Sequence, residues 1–253
     1  MKTVDYSRVL NDALQLCGLD RRDFNDSTFI QLRDFASTRL RIAWEYDRWP
    51  DLIRYAETAV LEDNKMYYCV KPAGAGEILG IWTENPLIST RALGLDYTLY
   101  TTDTQERLVL QGENSNNVFI EYRIAPTDLF GDAWSSSTTF YAGSQCYFDS
   151  GSNSGSYQPV SGKPQAGNFY VCLQTNTNSN PETSTANWQK VKIPYILGNY
   201  VSRAVFADYL RSEGQFDSAR VAEAEAKSFL DMEIDKIVRQ QGQVQKINFI
   251  QPY

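Results

Sequence analysis

The chain has 253 residues, 42% of them hydrophobic, and a formal charge of −7 from 24 basic and 31 acidic side chains. That length buries a real core without help from metals or disulfides, and the acidic balance argues against a protein that lives by gripping phosphates. Histidine is absent, which excludes Ser-His, Cys-His and H-E-x-x-H chemistry and removes the commonest ligand of transition metals.

Residues 1–6 run straight into helical patterning without the apolar stretch and small-residue cleavage site of a secretory signal, so export is not expected. Val9, Ala13, Leu14 and Cys17 share one side of a short amphipathic helix, and Gly18 offers its C-terminal stop. Asn25, Asp26 and Ser27 are helix-start residues. Phe29, Leu32, Phe35, Ala36, Leu40 and Ala43 then repeat at three and four, which predicts a longer second helix ending near Trp49 and Pro50. Its other face carries Arg33, Arg39 and Arg41 and reads as a solvated or salt-bridged surface.

From Tyr55 the chain turns to short runs of Tyr, Val, Ile and Thr between Gly, Pro and Asn, the texture of strands. Strands are expected at 58–61, 66–70, 77–82, 97–101, 107–110 and 118–123. The last alternates cleanly, with Val118, Ile120 and Tyr122 on one side and Phe119, Glu121 and Arg123 on the other. Together they predict a small antiparallel sheet or sandwich.

Residues 127–192 are rich in Ser, Thr, Asn, Gly and aromatics and poor in charge, which marks a separate inserted β-module with its own aromatic core. After Pro194 the pattern is helical again. Val201, Val205 and Leu210 mark one helix, Gly214 a break, and Ala219, Ala222, Ala226, Phe229, Leu230, Ile234 and Ile237 the stripe of a last helix over 216–240. The extended tail that follows carries Val244, Ile247, Phe249, Ile250 and Tyr253, apolar side chains that nothing nearby covers. They are expected to dock on a partner.

Apolar runs stay too short to span a bilayer, so the chain is expected to be soluble, with no membrane partner. Cys17, Cys69, Cys146 and Cys172 form no C-x-x-C pair and read as buried thiols, with a Cys146–Cys172 disulfide left open as the alternative. Glu113, Glu121, Asp128 and Asp132 gather near the boundary of the module, and without ligand spacing they read as solvated loop charges. No catalytic, cofactor or metal site is expected, and no enzyme. The expected fold class is α+β: a discontinuous helical bundle built from both chain ends, an antiparallel β-rich middle and a small β-module insertion. The expected domains are 1–126, 127–192, and a C-terminal part, 193–253, packing with 1–50.

The element order and three segments, YSRVLNDALQLCG at 6–18, AVFADYLRSEGQ at 204–215 and DMEIDKIVRQQGQ at 231–243, resemble the head-to-tail adaptor (connector, or tail accessory) proteins of tailed bacteriophages. That resemblance implies a structural virion protein in the neck between capsid and tail, assembled in the host cytoplasm. It implies a ring of copies, usually a dodecamer, that joins the portal protein to a tail or nozzle protein and lets DNA pass through its lumen without specific binding. It also implies that the C-terminal segment reaches a neighbour or the portal.

Residues 127–192 resemble small chitin- and cellulose-type carbohydrate-binding modules. The matching rhythm is Trp134, then FYAGSQCY at 140–147, NFYVCL at 168–173, Asn180 with Pro181, and Ala186, Asn187 and Trp188. Such modules stack sugar rings on exposed aromatics. The chain departs from that pattern at Gln174, Thr175, Asn176 and Thr177, where the family presents tryptophans. The resemblance offers Trp134, Tyr141, Tyr147, Tyr157 and Trp188 as glycan contacts, with Trp134 and Trp188 read first as staples of the module's two ends. A virion decoration protein that binds a surface glycan is therefore the second reading.

Overall fold

The computed structural model describes residues 2–22, 25–63, 65–103, 105–111, 116–150, 155–158 and 163–242, with side chains as far as Gln240. In chain order the elements are β1 (Thr3–Val4), α1 (Tyr6–Leu16), α2 (Asp26–Tyr46), a 3-10 turn (Pro50–Leu52), β2 (Ile53–Ala59), β3 (Leu61–Asp63), β4 (Met66–Val70), β5 (Ala75–Trp82), β6 (Tyr97–Thr101), β7 (Glu106–Leu110) and β8 (Asn117–Ile124). There follow β9 (Asp132–Ala133), β10 (Thr139–Phe140), β11 (Gln145–Phe148), β12 (Asn168–Cys172), β13 (Asn176–Thr177), β14 (Trp188–Lys190), β15 (Ile193–Pro194), α3 (Tyr195–Ser212) and α4 (Phe216–Gly242). The fold is α+β, and none of its sheets closes into a barrel among the described residues.

The helix boundaries follow local chemistry. Asn25 caps α2 by accepting a hydrogen bond from the Thr28 amide at 2.7 Å. Gly18 and Gly214, both with positive φ, follow α1 and α3 where the chain must leave the helix.

The chain divides into two compact units, Met1–Asp47 with Thr127–Tyr253, and Arg48–Pro126. The division differs from the expected domains, because residues 127–192 group with the helices. Period-two alternation explains this grouping. The mixed sheet β14-β12-β11-β9 has two covered faces. Cys146, Tyr170, Cys172 and Trp188 lie on one face and form the module's own core with Phe140. Tyr147 and Phe169 lie on the other, where Phe169 meets Tyr6 of α1 at 5.0 Å and Tyr147 meets Phe29 of α2 at 4.7 Å between ring centroids. Tyr157 stacks on Phe29, also at 4.7 Å. Gly167 is required beside this cluster, since a Cβ there would collide with the Tyr147 hydroxyl and ring.

In the same unit β1 pairs with β15, which ties the start of the chain to the entry of α3. α3 packs against α1, α2 and α4. The sequence marked α3 by Val201, Val205 and Leu210, and Leu197, Gly198, Tyr200, Ser202, Ala204 and Ala207 are buried with them, so the helix is covered on several sides. Its small residues make this possible. Arg39, expected on a solvated or salt-bridged face, is buried in a bridge: its guanidinium donates to both Asp208 carboxylate oxygens, at 2.6 and 2.5 Å, and to Glu223 at 3.0 Å. Arg211 joins both acids as well. Four charges on three helices thereby satisfy one another.

The unit Arg48–Pro126 is a two-sheet sandwich. One sheet runs β2-β8-β5, the other β3-β4-β7-β6. Ile81, Val118 and Ile120 from the first pack with Cys69, Leu108 and Leu110 from the second. The expected strand at 58–61 is displaced: β2 covers Ile53–Ala59, and Val60 separates it from β3.

Candidate interaction surfaces

Directly opposite residues in paired strands share a face, so the register fixes what the sandwich presents outward. In β3-β4-β7-β6 the residues Leu61, Tyr68, Val109 and Thr98 are aligned across the four strands, on the face away from Cys69 and Leu108. Met66, Val70 and Tyr100 share that face by alternation. Leu61, Met66 and Tyr100 are solvent-exposed, while Tyr68, Val70 and Val109 are partly buried. Arg107 lies among them with its guanidinium 4.4 Å from the Tyr68 ring centre and 3.4 Å from Asp63. Its charge is thus compensated locally. The result is a nearly neutral apolar face, suited to another protein surface rather than to phosphate.

The same unit has a polar knot in its other sheet. Glu121, expected among solvated loop charges, sits in the middle of β8 with only 3% of its surface exposed. It accepts from Arg48, from the Tyr55 hydroxyl at 3.1 Å and from the Trp82 indole N–H at 3.2 Å. Gly80 lies directly across from Glu121, and a Cβ there would come within 3.1 Å of that indole nitrogen. Among the described residues every partner of the carboxylate comes from the same unit, so the arrangement reads as structural. The alternation of 118–123 gave no sign of this burial, because Glu121 falls in register with Arg123 on the more polar side of the strand. Asp128 pairs with Arg41 at 2.7 Å and Asp132 is exposed, while Glu113 lies outside the described residues.

The five aromatics considered for glycan stacking do not come together as one platform. Tyr147 and Trp188 are buried, the latter donating its indole N–H to the Ser179 carbonyl at 3.1 Å. Tyr157 lies on Phe29 and donates to the Gly131 carbonyl at 3.0 Å. Trp134 is partly buried edge-on to Phe148. Tyr141 alone among the five is well exposed, at 68%, with Thr175 nearby accepting from the Ala142 amide. The docking residues Val244, Ile247, Phe249, Ile250 and Tyr253 lie outside the described residues.

No protein-family model and no curated protein matches this chain.

Three of the thiols are held in their neutral form. Burial pushes Cys17 up to about 12 and Cys69 to about 11, and raises Cys146 as well, so none of these three is an activated nucleophile. All four cysteines are free. Cys146 stands opposite Tyr170, which leaves Cys172 on the diagonal, where Cα separations of about 7–8 Å are at or beyond the reach of a disulfide. Among the described residues no group of three or more Cys, Asp and Glu is placed to hold a metal ion, and no helix is long and apolar enough to cross a membrane.

Proposed function

We propose that the chain is a structural virion subunit, a head-to-tail adaptor whose copies form a ring, twelve-fold by the resemblance, between the portal and the tail or nozzle. DNA passes through such a ring without being held, which the net charge of −7 suits. The observation that carries the reading is the neutral apolar outer face of β3-β4-β7-β6, with Leu61, Met66 and Tyr100 in solvent. We assign it to the contact with the neighbouring subunit of the ring. The four helices, drawn from both chain ends, are read as one discontinuous bundle. Residues 243–253, with their five apolar side chains, are assigned to docking on a neighbour or the portal.

The test replaces Leu61 and Met66 together by lysine and follows attachment to filled heads. The variant is expected to melt like the parent chain, because both residues are exposed, and to lose ring assembly and attachment. Normal attachment by a folded variant would overturn the assignment. Glycan binding through residues 127–192 is the second reading, and Tyr141 is the residue that supports it. Binding to a glycan array that disappears with Tyr141→Ala would favour it.

A further inference from the structure

The sheet β3-β4-β7-β6 has two edges of different character. β3 is three residues long and carries Glu62 and Asp63, charges that discourage a further strand. β6 is five residues long, reads Tyr-Thr-Leu-Tyr-Thr, and has no charge, no proline and no glycine. β-Branched and aromatic residues of this kind favour strand pairing. Its outer backbone edge pairs with no strand of the described chain.

The side chains point the same way. Leu99 stands opposite Leu108, which stands opposite Cys69, so Leu99 belongs to the core side of the sheet. Leu108 and Cys69 are fully buried, whereas Leu99 is 50% exposed. The sandwich core therefore stops at an apolar residue that one more strand would cover.

We propose that β6 is a self-association site, where β6 of one copy pairs antiparallel with β6 of a second copy about a two-fold axis. The strand is self-complementary in that register. Leu99 meets its own counterpart, Tyr97 meets Thr101, and Thr98 meets Tyr100. A second copy suits this edge because uncharged residues meet uncharged residues, whereas two copies of β3 would bring acids together. Pairing joins the two four-stranded sheets into one and buries Leu99 against Leu99. The contact is small, five residues a side against the roughly 20–30 of a standard interface, so the dimer is weak, with a Kd on the order of tens of micromolar. It is also independent of the adaptor reading. Ring closure needs a head-to-tail contact, and this contact is two-fold.

Sedimentation velocity of the full chain across a concentration series tests it. The parent chain is expected to shift from monomer to dimer. Leu99→Lys is expected to raise the Kd at least about tenfold, while Ile88→Lys, in an exposed loop of the same unit away from β6, leaves it unchanged. A Leu99→Cys variant covers the case in which the lysine variant fails to fold. Opposed Cα atoms in antiparallel strands are about 4.5–5.5 Å apart, within disulfide range, so mild oxidation with diamide is expected to link two chains through position 99. A parent chain that stays monomeric at several hundred micromolar overturns the proposal. So does a dimer unaffected by a folded Leu99→Lys variant, or a Leu99→Cys variant that oxidation leaves uncrosslinked.

Discussion

The sandwich of Arg48–Pro126 and the unit that holds both chain ends are stabilised from opposite directions along the sequence. In the sandwich, β3 pairs with β4 and β6 with β7, and Glu121 finds Arg48, Tyr55 and Trp82 within 73 residues. In the other unit Arg39 reaches Asp208 across 169 residues, and Phe169 of the module meets Tyr6 near the start of the chain. Local pairing leaves a strand edge and an apolar face open, whereas long-range packing has covered both faces of the module's sheet. The difference teaches where each unit is vulnerable: the sandwich at its surface, the two-ended unit at the contacts that join distant segments.

The largest expected effect comes from removing the segment that bridges the helices. Replacing residues 127–192 by a short linker would bare Tyr6 and Phe29, so the helical unit is expected to lose cooperative melting, read by far-UV circular dichroism. A sharp transition at the parent temperature would show that the module is dispensable to the helices. Phe29→Ala probes the same contact by one residue and should cost about 3–5 kcal/mol in chemical denaturation, as for other buried Phe truncations. A loss below about 1 kcal/mol would mean that the aromatic cluster is loosely packed.

Arg39→Met ranks next, with an expected loss of about 3 kcal/mol because Asp208 would be left without its main partner in a nearly buried place. The same network sets a pH dependence. Burial raises the Glu223 carboxyl, but hydrogen bonds from Arg39 and Arg211 and their charges outweigh it and hold the group below the usual glutamate range. A depressed folded value means that the contribution is present above the unfolded pKa and is lost as pH falls through the folded one. Stability should therefore decline on acidification below about pH 4, and Glu223→Gln should flatten that decline. An unchanged acid limb in urea titrations would remove Glu223 from the explanation. Within the sandwich, Glu121→Gln should cost less, about 1–3 kcal/mol, with hydrogen exchange quickened in 48–126 and unaltered elsewhere. At the bottom of the scale, Tyr141→Ala should alter the melting free energy by no more than about 0.5 kcal/mol, since the ring is exposed.

The contrast between the units also explains what was legible in the sequence. Strands such as 66–70 and 97–101 are found where alternation and turn residues place them, because a hairpin is a local decision. The helix at Asp26–Tyr46 is announced by Asn25 and by spacing alone. Partnership across the chain carries no such mark. Nothing around Arg39 separates a solvated arginine from one that clamps Asp208, and nothing around Tyr147 separates a ring offered to a sugar from one packed on Phe29. Alternation within 168–172 does show two kinds of face, and a sheet apolar on both needs two covers, which was the available clue that the module is not self-sufficient.

Imaging the neck of a particle that contains this chain tests the adaptor assignment most directly. The assignment predicts a closed ring of copies, twelve by the resemblance, seated between portal and tail, with the outer face of β3-β4-β7-β6 covered by the adjacent subunit. A chain found at another place in the particle, or a neck ring in which Leu61 and Met66 remain in solvent, would contradict it.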